Sequence, residues 1–144
     1  MTMSPETNAV VELLKIGTFL IRTGNRIVAS TGLSQQQFVI LNAITEQAPV
    51  SQTELRTELS FERSNLSKSV SRLLDMELIL AEPSPLDGRV LKLAPTEKGK
   101  RAVCDCMPMF ESWGKNWAGT LDEEELATLT KLLGKLRKGS QTKD

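Results

Sequence analysis

Residues 62–77 constrain the fold of this chain more than any other segment. At about 100° per residue, Leu66, Val70, Leu73 and Glu77 fall on one side of a helix, with Leu74 at its edge. Ser64, Lys68, Ser71, Arg72 and Asp75 fall on the opposite side, flanked by Asn65, and Arg63 stands at the start. Such a helix must bury its apolar stripe against something else in the chain. The polar side suits a DNA major groove. Short hydroxyls permit close approach, while Asn, Lys and Arg carry the donors that base edges and phosphates accept. An ordinary solvated face has the same composition, so the flanks decide.

Upstream, Ser51 and Glu54 form an S-x-x-E capping pattern that opens a short helix over Leu55 and Leu59. That helix ends near Ser60 and turns through Phe61 into the central one. Two short helices joined this way make a helix-turn-helix, whose second helix reads DNA. Downstream, residues 78–82 and 90–93 read as strands. The segment between them holds Pro83, Pro85 and the Asp87-Gly88-Arg89 run, the composition of a long hairpin loop. Helix, turn, helix and then a hairpin tipped by Arg89 is a winged helix.

With these parts in place the chain resembles the MarR-type winged-helix transcriptional regulators. The likeness is sharpest in residues 64–73, in Leu78 and Ile79, in Asp87-Gly88-Arg89, and in the T-x-x-G helix start at Thr96 and Gly99. It departs at Glu77, where the family usually has Gly, at Ala81, often Arg, and at Pro95, often Leu. The resemblance implies a dimer interlocked through its first and last helices. It also implies a crevice between the dimer helices and the winged helix, where many members bind small aromatic or phenolic compounds that weaken DNA affinity. Peroxide-sensing members use a reactive cysteine near the first helix with tyrosines around it. This chain has no cysteine there and no Tyr, so that role is not carried over.

Elsewhere the pattern is helical. Ser4, Pro5 and Glu6 supply an N-cap, a proline at N1 and a first-turn acid. That helix continues through Leu13 toward Val28 and stops at residues 30–32. Ser34 and Gln37 form a capping box for a second helix that ends before Pro49. Thr96 caps a long helix to about Gly119, with a stripe of Val103, Cys106, Phe110, Trp113 and Trp117. Pro108 inside it predicts a kink, because proline lacks an N–H and clashes with the previous turn. Thr120 and Glu123 make a further capping pattern. Leu126, Leu129, Leu133 and Leu136 then form a second stripe, and a disordered tail is expected over residues 139–144.

The outer helices carry more apolar surface than one small winged helix covers. The simplest partner is a second copy, with Leu13, Leu126, Leu129, Leu133 and Leu136 in the dimer contact. A two-fold dimer presents two recognition helices to successive major grooves, about 34–36 Å apart. Packing of all six helices within one chain is the alternative. Met107, Met109, Trp113 and Trp117 are candidates to line a ligand crevice, although a Met and Trp stripe also suits a dimer core.

At 144 residues, 40% of them apolar, the chain suits one domain with a real core. No apolar run is long enough for a membrane span and no charged-then-apolar leader is present, so a cytoplasmic protein without membrane partners is expected. Two cysteines fit a reducing compartment. Eighteen Lys and Arg balance 18 Asp and Glu, and within residues 51–100 the count is eight against eight. Positive charge must therefore be placed by geometry, and affinity for random DNA should be modest.

The chain has no His, the commonest general base and metal ligand. Cys104 and Cys106 stand two apart in a helix and point about 200° from each other, unsuited to sharing a metal or closing a disulfide. No catalytic site, metal or cofactor is expected.

The fold class is thus mainly α with a small β-hairpin wing, a single domain over residues 1–144. A winged helix-turn-helix lobe over residues 34–95 is flanked by N- and C-terminal dimerisation helices over residues 4–30 and 96–138. The expected function is a dimeric, sequence-specific DNA-binding repressor at a pseudo-palindromic operator, released by a small aromatic ligand. Arg63, Ser64, Asn65, Lys68, Ser71, Arg72, Asp87 and Arg89 are its candidate DNA contacts. A winged-helix module for protein–protein assembly is the alternative, and the zero net charge speaks for it.

Overall fold

The computed structural model describes residues 2–140. In chain order it contains helix α1 (Pro5–Val28), a 3-10 turn (Ala29–Thr31), α2 (Gln35–Gln47), strand β1 (Val50–Ser51), α3 (Gln52–Leu59), α4 (Arg63–Asp75), β2 (Ile79–Pro83), β3 (Leu91–Pro95), α5 (Glu97–Ala118) and α6 (Glu123–Ser140). The fold class is the one the sequence predicts.

Local chemistry sets most of the boundaries. Thr7 donates its backbone N–H to Ser4 Oγ at 3.2 Å, and Pro5 fills the first helical position of α1. Gly32, at φ 79°, turns the chain out of the 3-10 segment. Ser34 and Gln37 exchange their bonds reciprocally, at 3.1 and 2.9 Å, and so close both orphan donors of α2. Ser51 accepts from the Glu54 amide at 3.1 Å. The Glu54 carboxylate accepts from Ser51 Oγ at 3.1 Å and from Lys92 Nζ on β3, which ties the wing to α3. The Lys92 hydrogen bond, then the one from Ser51, holds the Glu54 carboxyl below its ordinary range. Its contribution is complete above the ordinary carboxylate range and is lost as the pH falls through the lowered value.

The sheet is antiparallel in the order β1-β3-β2. Val50 pairs with Leu93 and Ser51 with Lys92, while β2 pairs with β3 from Ile79–Pro95 to Pro83–Leu91. Val50, Ile79 and Leu93 face the core beside Leu41, Ile44, Leu55, Leu66 and Leu73, all of them buried. That cluster carries most of the hydrophobic stabilisation, at roughly 1.5–3 kcal/mol for each large apolar side chain fully buried. Phe38 of α2 stacks on Phe110 of α5 at 4.4 Å, and Trp113 meets Phe110 edge-on at 5.4 Å, which joins the long helices to the core.

Several boundaries differ from the sequence expectation. Glu77 is exposed and lies beyond α4 rather than on its buried stripe. It adopts φ 58°, the left-handed position that glycine fills in most of the resembled family. The turn is complete nonetheless. Leu78 donates its N–H to Leu73 O and Glu77 to Leu74 O, both at 3.0 Å, the paired bonds of a Schellman cap. A non-glycine residue in this region costs about 1–2 kcal/mol. Glu77→Gly should therefore stabilise the chain by about 1 kcal/mol once the entropy of an unfolded glycine is subtracted. Thermal melting checks this, and a lower melting temperature would show that the turn depends on the glutamate side chain.

The same cap delays β2. Leu78 is spent on the helix end, so the strand begins at Ile79. Val90 belongs to the hairpin turn, its N–H donated to Asp87 O at 3.0 Å, so β3 begins at Leu91. The capping box of α6 is Asp122 with Glu125, closed by bonds of 2.8 and 3.0 Å, rather than Thr120 with Glu123. Helix α5 runs unbroken across Pro108. Helix α6 includes Gly139 and Ser140, which the sequence pattern assigns to a tail. The rest of that tail, residues 141–144, lies outside the described residues.

Candidate nucleic-acid interface

Helix α4 sits on the core by Leu66, Val70 and Leu73, which are 0, 5 and 0% exposed. With that stripe fixed, the helical period decides what faces outward. Arg63, Ser64, Asn65, Lys68, Ser71, Arg72 and Asp75 are all exposed, so the polar face predicted from the sequence is one continuous surface. Ser64 Oγ lies 3.3 Å from Glu62 Oε1. Gln52 of α3 donates to Ser67 Oγ at 2.6 Å, a bond across the helix-turn-helix that the sequence reading does not anticipate. Ser60, at φ 55°, makes the turn between the two helices.

The wing loop spans residues 84–90 between β2 and β3. Ser84 is buried and donates its N–H to Val90 O at 2.8 Å, closing the base of the loop. At the tip, Asp87 Oδ1 accepts from the Arg89 backbone N–H at 3.0 Å and from Arg89 Nε at 3.2 Å. The backbone bond first, then the guanidinium bond, lowers the Asp87 pKa. The Arg89 side chain is 92% exposed, so its cationic edge is held by Asp87 at the base and open to solvent beyond. Arg89 stands on the wing and the other six basic and polar candidates stand on α4, with Asp87 positioning Arg89.

Helix α5 begins against the end of α4. Thr96 Oγ1 donates to Glu77 O at 2.7 Å and accepts from the Gly99 N–H at 3.0 Å. The Thr96 N–H donates to Leu78 O at 3.0 Å, and Lys98 Nζ donates to Met76 O at 3.0 Å. A Cβ on Gly99 would lie 1.9 Å from Leu78 O, so the close approach requires glycine. These contacts give the T-x-x-G pattern its physical reason.

Farther along α5, Phe110, Trp113, Gly114 and Trp117 face Leu20 and Ile21 of α1 and Gln35 of α2 around a cavity of about 320 Å³. Apart from the two indoles, Gln35 is its polar lining side chain among the described residues. A more open depression of about 450 Å³ lies against Ile27, Pro108, Met109, Ser112, Trp113 and Asn116. Of the four crevice candidates, Trp113 and Trp117 border the first cavity, and Met109 and Trp113 the second. Met107 packs against the winged-helix core instead and lines neither. Leu20, Ile21 and Gln35 carry no sequence signal of their own, because only the packing of three helices brings them together. Cys106 is buried beside Thr31, and that burial pushes its thiol pKa up, while Cys104 is exposed.

A sequence model of the MarR family matches residues 31–90. The HTH-type transcriptional regulator MgrA of Staphylococcus aureus is 25% identical over 112 residues, which cover 78% of this chain and 75% of MgrA. Over these residues the chain is similar to the MarR family. It shares the winged-helix fold of these transcriptional regulators. Solved MarR-type folds superpose on nearly all of it. CouR from Rhodococcus jostii RHA1, bound to p-coumaroyl-CoA, gives a TM-score of 0.84 at 19% identity over 94% of this chain and 96% of CouR. The organohalide-sensing regulator RdhR in its 2,4-dichlorophenol-bound form gives 0.83 at 22% identity, covering 97% and 83%. The MarR family consists of transcriptional regulators, not enzymes. Among the described residues no helix is long and apolar enough to cross a membrane, and no cluster of metal-ligating side chains occurs.

Proposed function

We propose that this chain is a MarR-type, cytoplasmic homodimeric repressor that reads a pseudo-palindromic operator and is released by a small aromatic effector. The observation that carries the reading is the α4 surface. Its apolar stripe is fully used in the core, and the side left over is one exposed field of Ser, Asn, Lys and Arg, while Arg89 stands exposed at the tip of the wing. In this arrangement Ser64, Asn65, Lys68, Ser71 and Arg72 meet base edges and phosphates, and Arg63 meets the backbone. Arg89 enters the adjacent minor groove, where negative potential attracts it. Residues 34–95 act as the reading lobe, and the helices over residues 4–30 and 96–138 as the assembly lobe.

The dimer is supported by what the chain leaves uncovered. Helix α1 buries only Gly24 and Val28, and α6 buries no residue. Val10, Leu13, Leu14, Leu132, Leu133 and Leu136 are 41–66% exposed. Leu126 and Leu129 are half-buried beneath them. A second copy that covers these faces brings two α4 helices onto one side of a duplex. Leu133→Asp should then give monomer or aggregate in sedimentation, because it places an unpaired charge in an apolar contact. A well-folded dimer of that variant would move the interface off α6.

The effector reading is supported by the cavity between α1, α2 and α5 and by its lack of charged lining groups. CouR is bound to p-coumaroyl-CoA and RdhR to 2,4-dichlorophenol, and the cavity here suits an uncharged aromatic of the second kind, with Gln35 to hydrogen-bond it. At about 320 Å³ it is near the lower limit for a small-molecule site.

The deciding experiment selects duplexes from a random pool with the wild-type protein and measures affinity at several salt concentrations. An enriched two-fold sequence supports the reading. No enrichment would favour the protein-assembly module, for which the balanced charge speaks. On an enriched duplex, Arg89→Ala should weaken selected and scrambled DNA by similar factors and make the salt slope shallower by about 1. Unchanged affinity and slope would take the wing off the DNA.

A further inference from the structure

Every backbone carbonyl in the turn after the recognition helix is held by the first turn of α5. Met76 O accepts from Lys98 Nζ, Glu77 O from Thr96 Oγ1, and Leu78 O from the Thr96 N–H. Gly99 presses its Cα side against the same Leu78 carbonyl, with no room for a methyl group. At the opposite end of α4, Glu62 at the N-cap makes no side-chain capping bond. Helix α3 ties the N-terminal half of α4 through the Gln52 bond to Ser67, and α4 rests on the core through Leu66, Val70 and Leu73, so the grip of α5 fixes its C-terminal end. Helix α5 then runs without a break from this grip to Trp113 in the cavity wall, about 21 Å at 1.5 Å per residue.

We infer that the turn over residues 76–78 and the first turn of α5 form one rigid joint that sets the pitch of α4 in the major groove, with Thr96 and Lys98 as positioning residues for sequence reading. This rests on the DNA-reading function proposed above. Neither side chain belongs to the exposed polar face of α4, and their effect on DNA is transmitted through the helix end. The hydroxyl of Thr96 is used twice, as donor to the turn and as acceptor at the N-terminus of α5, so a single atom couples the two helices. Lys98 adds a second, independent attachment one carbonyl earlier. Loss of either contact frees the end of α4 to tilt about its core stripe. Base contacts need accurate placement, whereas phosphate contacts tolerate small shifts, so tilt costs discrimination before it costs overall affinity.

The test uses the full-length protein and duplexes that the wild type selects from a random pool. Thr96→Val removes the hydroxyl, Thr96→Ser keeps it, and Lys98→Met keeps the apolar stem without the ammonium. Thr96→Val and Lys98→Met should each narrow the ratio of selected to scrambled affinity by roughly tenfold, the scale of one misplaced base contact. Binding to scrambled DNA, set by phosphates, should stay within about twofold. Thr96→Ser should keep the wild-type ratio. A Thr96→Val protein that melts early yet keeps the full ratio below its melting temperature has lost only stability, which would overturn the inference. Should Thr96→Val fail to fold, Lys98→Met decides alone, and an unchanged ratio overturns it. A wild-type protein that selects no sequence overturns the DNA-reading function itself, and the joint's role with it.

Discussion

Gly99→Ala should lower the stability of the chain by about 3 kcal/mol, the upper part of the range for overpacking a close contact. The new methyl group would sit 1.9 Å from Leu78 O, which is backbone and has no rotamer to offer. Either α5 backs away and the Thr96 and Lys98 bonds lengthen, or the turn after α4 opens and the Schellman pair is lost. For a chain of this length the melting temperature should fall by roughly 6–12 °C. Circular dichroism melts would register it. A shift within about 1 °C of the wild type would show that α5 and the turn are not packed this closely in solution.

The Asn65, Lys68 and Arg72 triple alanine should lose most of the discrimination between selected and scrambled DNA. Asn65 and Arg72 are both suited to bidentate base contacts, each worth about 1–3 kcal/mol against the wrong base, so the ratio should fall by about 10–100-fold or more. All three side chains are exposed, and the melting temperature should stay close to that of the wild type. Leu66→Ala supplies the converse. That side chain is fully buried, and its truncation should cost about 2–5 kcal/mol through lost burial and a cavity. Full discrimination retained by the triple variant would rule out α4 as the sequence reader and restore the protein-partner reading.

What the sequence discloses and what it withholds follow from the range of the forces involved. The Ser34 and Gln37 box, the Ser4 cap and the α4 stripe are local, written in residues three or four apart, and each was readable at its residue. The hairpin was readable too, because prolines and an Asp-Gly pair interrupt two apolar runs. Glu77 was not. Nothing in a glutamate announces a positive φ, and here Thr96, far along the chain, helps fix its carbonyl. The α6 box was ambiguous for a different reason. Thr120 with Glu123 and Asp122 with Glu125 both satisfy the spacing, and only the backbone shows which pair closes. At the interface, the exposed residues of α4 could be read from periodicity, since the buried stripe dictates its opposite face. The Gln52 bond to Ser67 and the Lys98 bond to Met76 could not, because each joins separate elements. The cavity was legible only by half. Its α5 wall belongs to a regular stripe, whereas Gln35 and the α1 side chains reach it through tertiary packing.

The make-up of that cavity wall gives the molecule a built-in optical reporter. Trp113 and Trp117 are the two tryptophans of the chain, both line the cavity, and there is no tyrosine anywhere. Indole emission excited at the red edge therefore originates entirely from helix α5, with none from the helix-turn-helix or the wing. Trp117 borders the cavity, and Trp113 borders both the cavity and the open depression beside it. A solute entering beside the indoles changes their polarity or quenches them directly. Loosening confined to the wing leaves the spectrum as it was. Occupancy of the cavity and grip on the duplex are thus separable by colour alone, in unlabelled protein, with a dye needed only on the DNA.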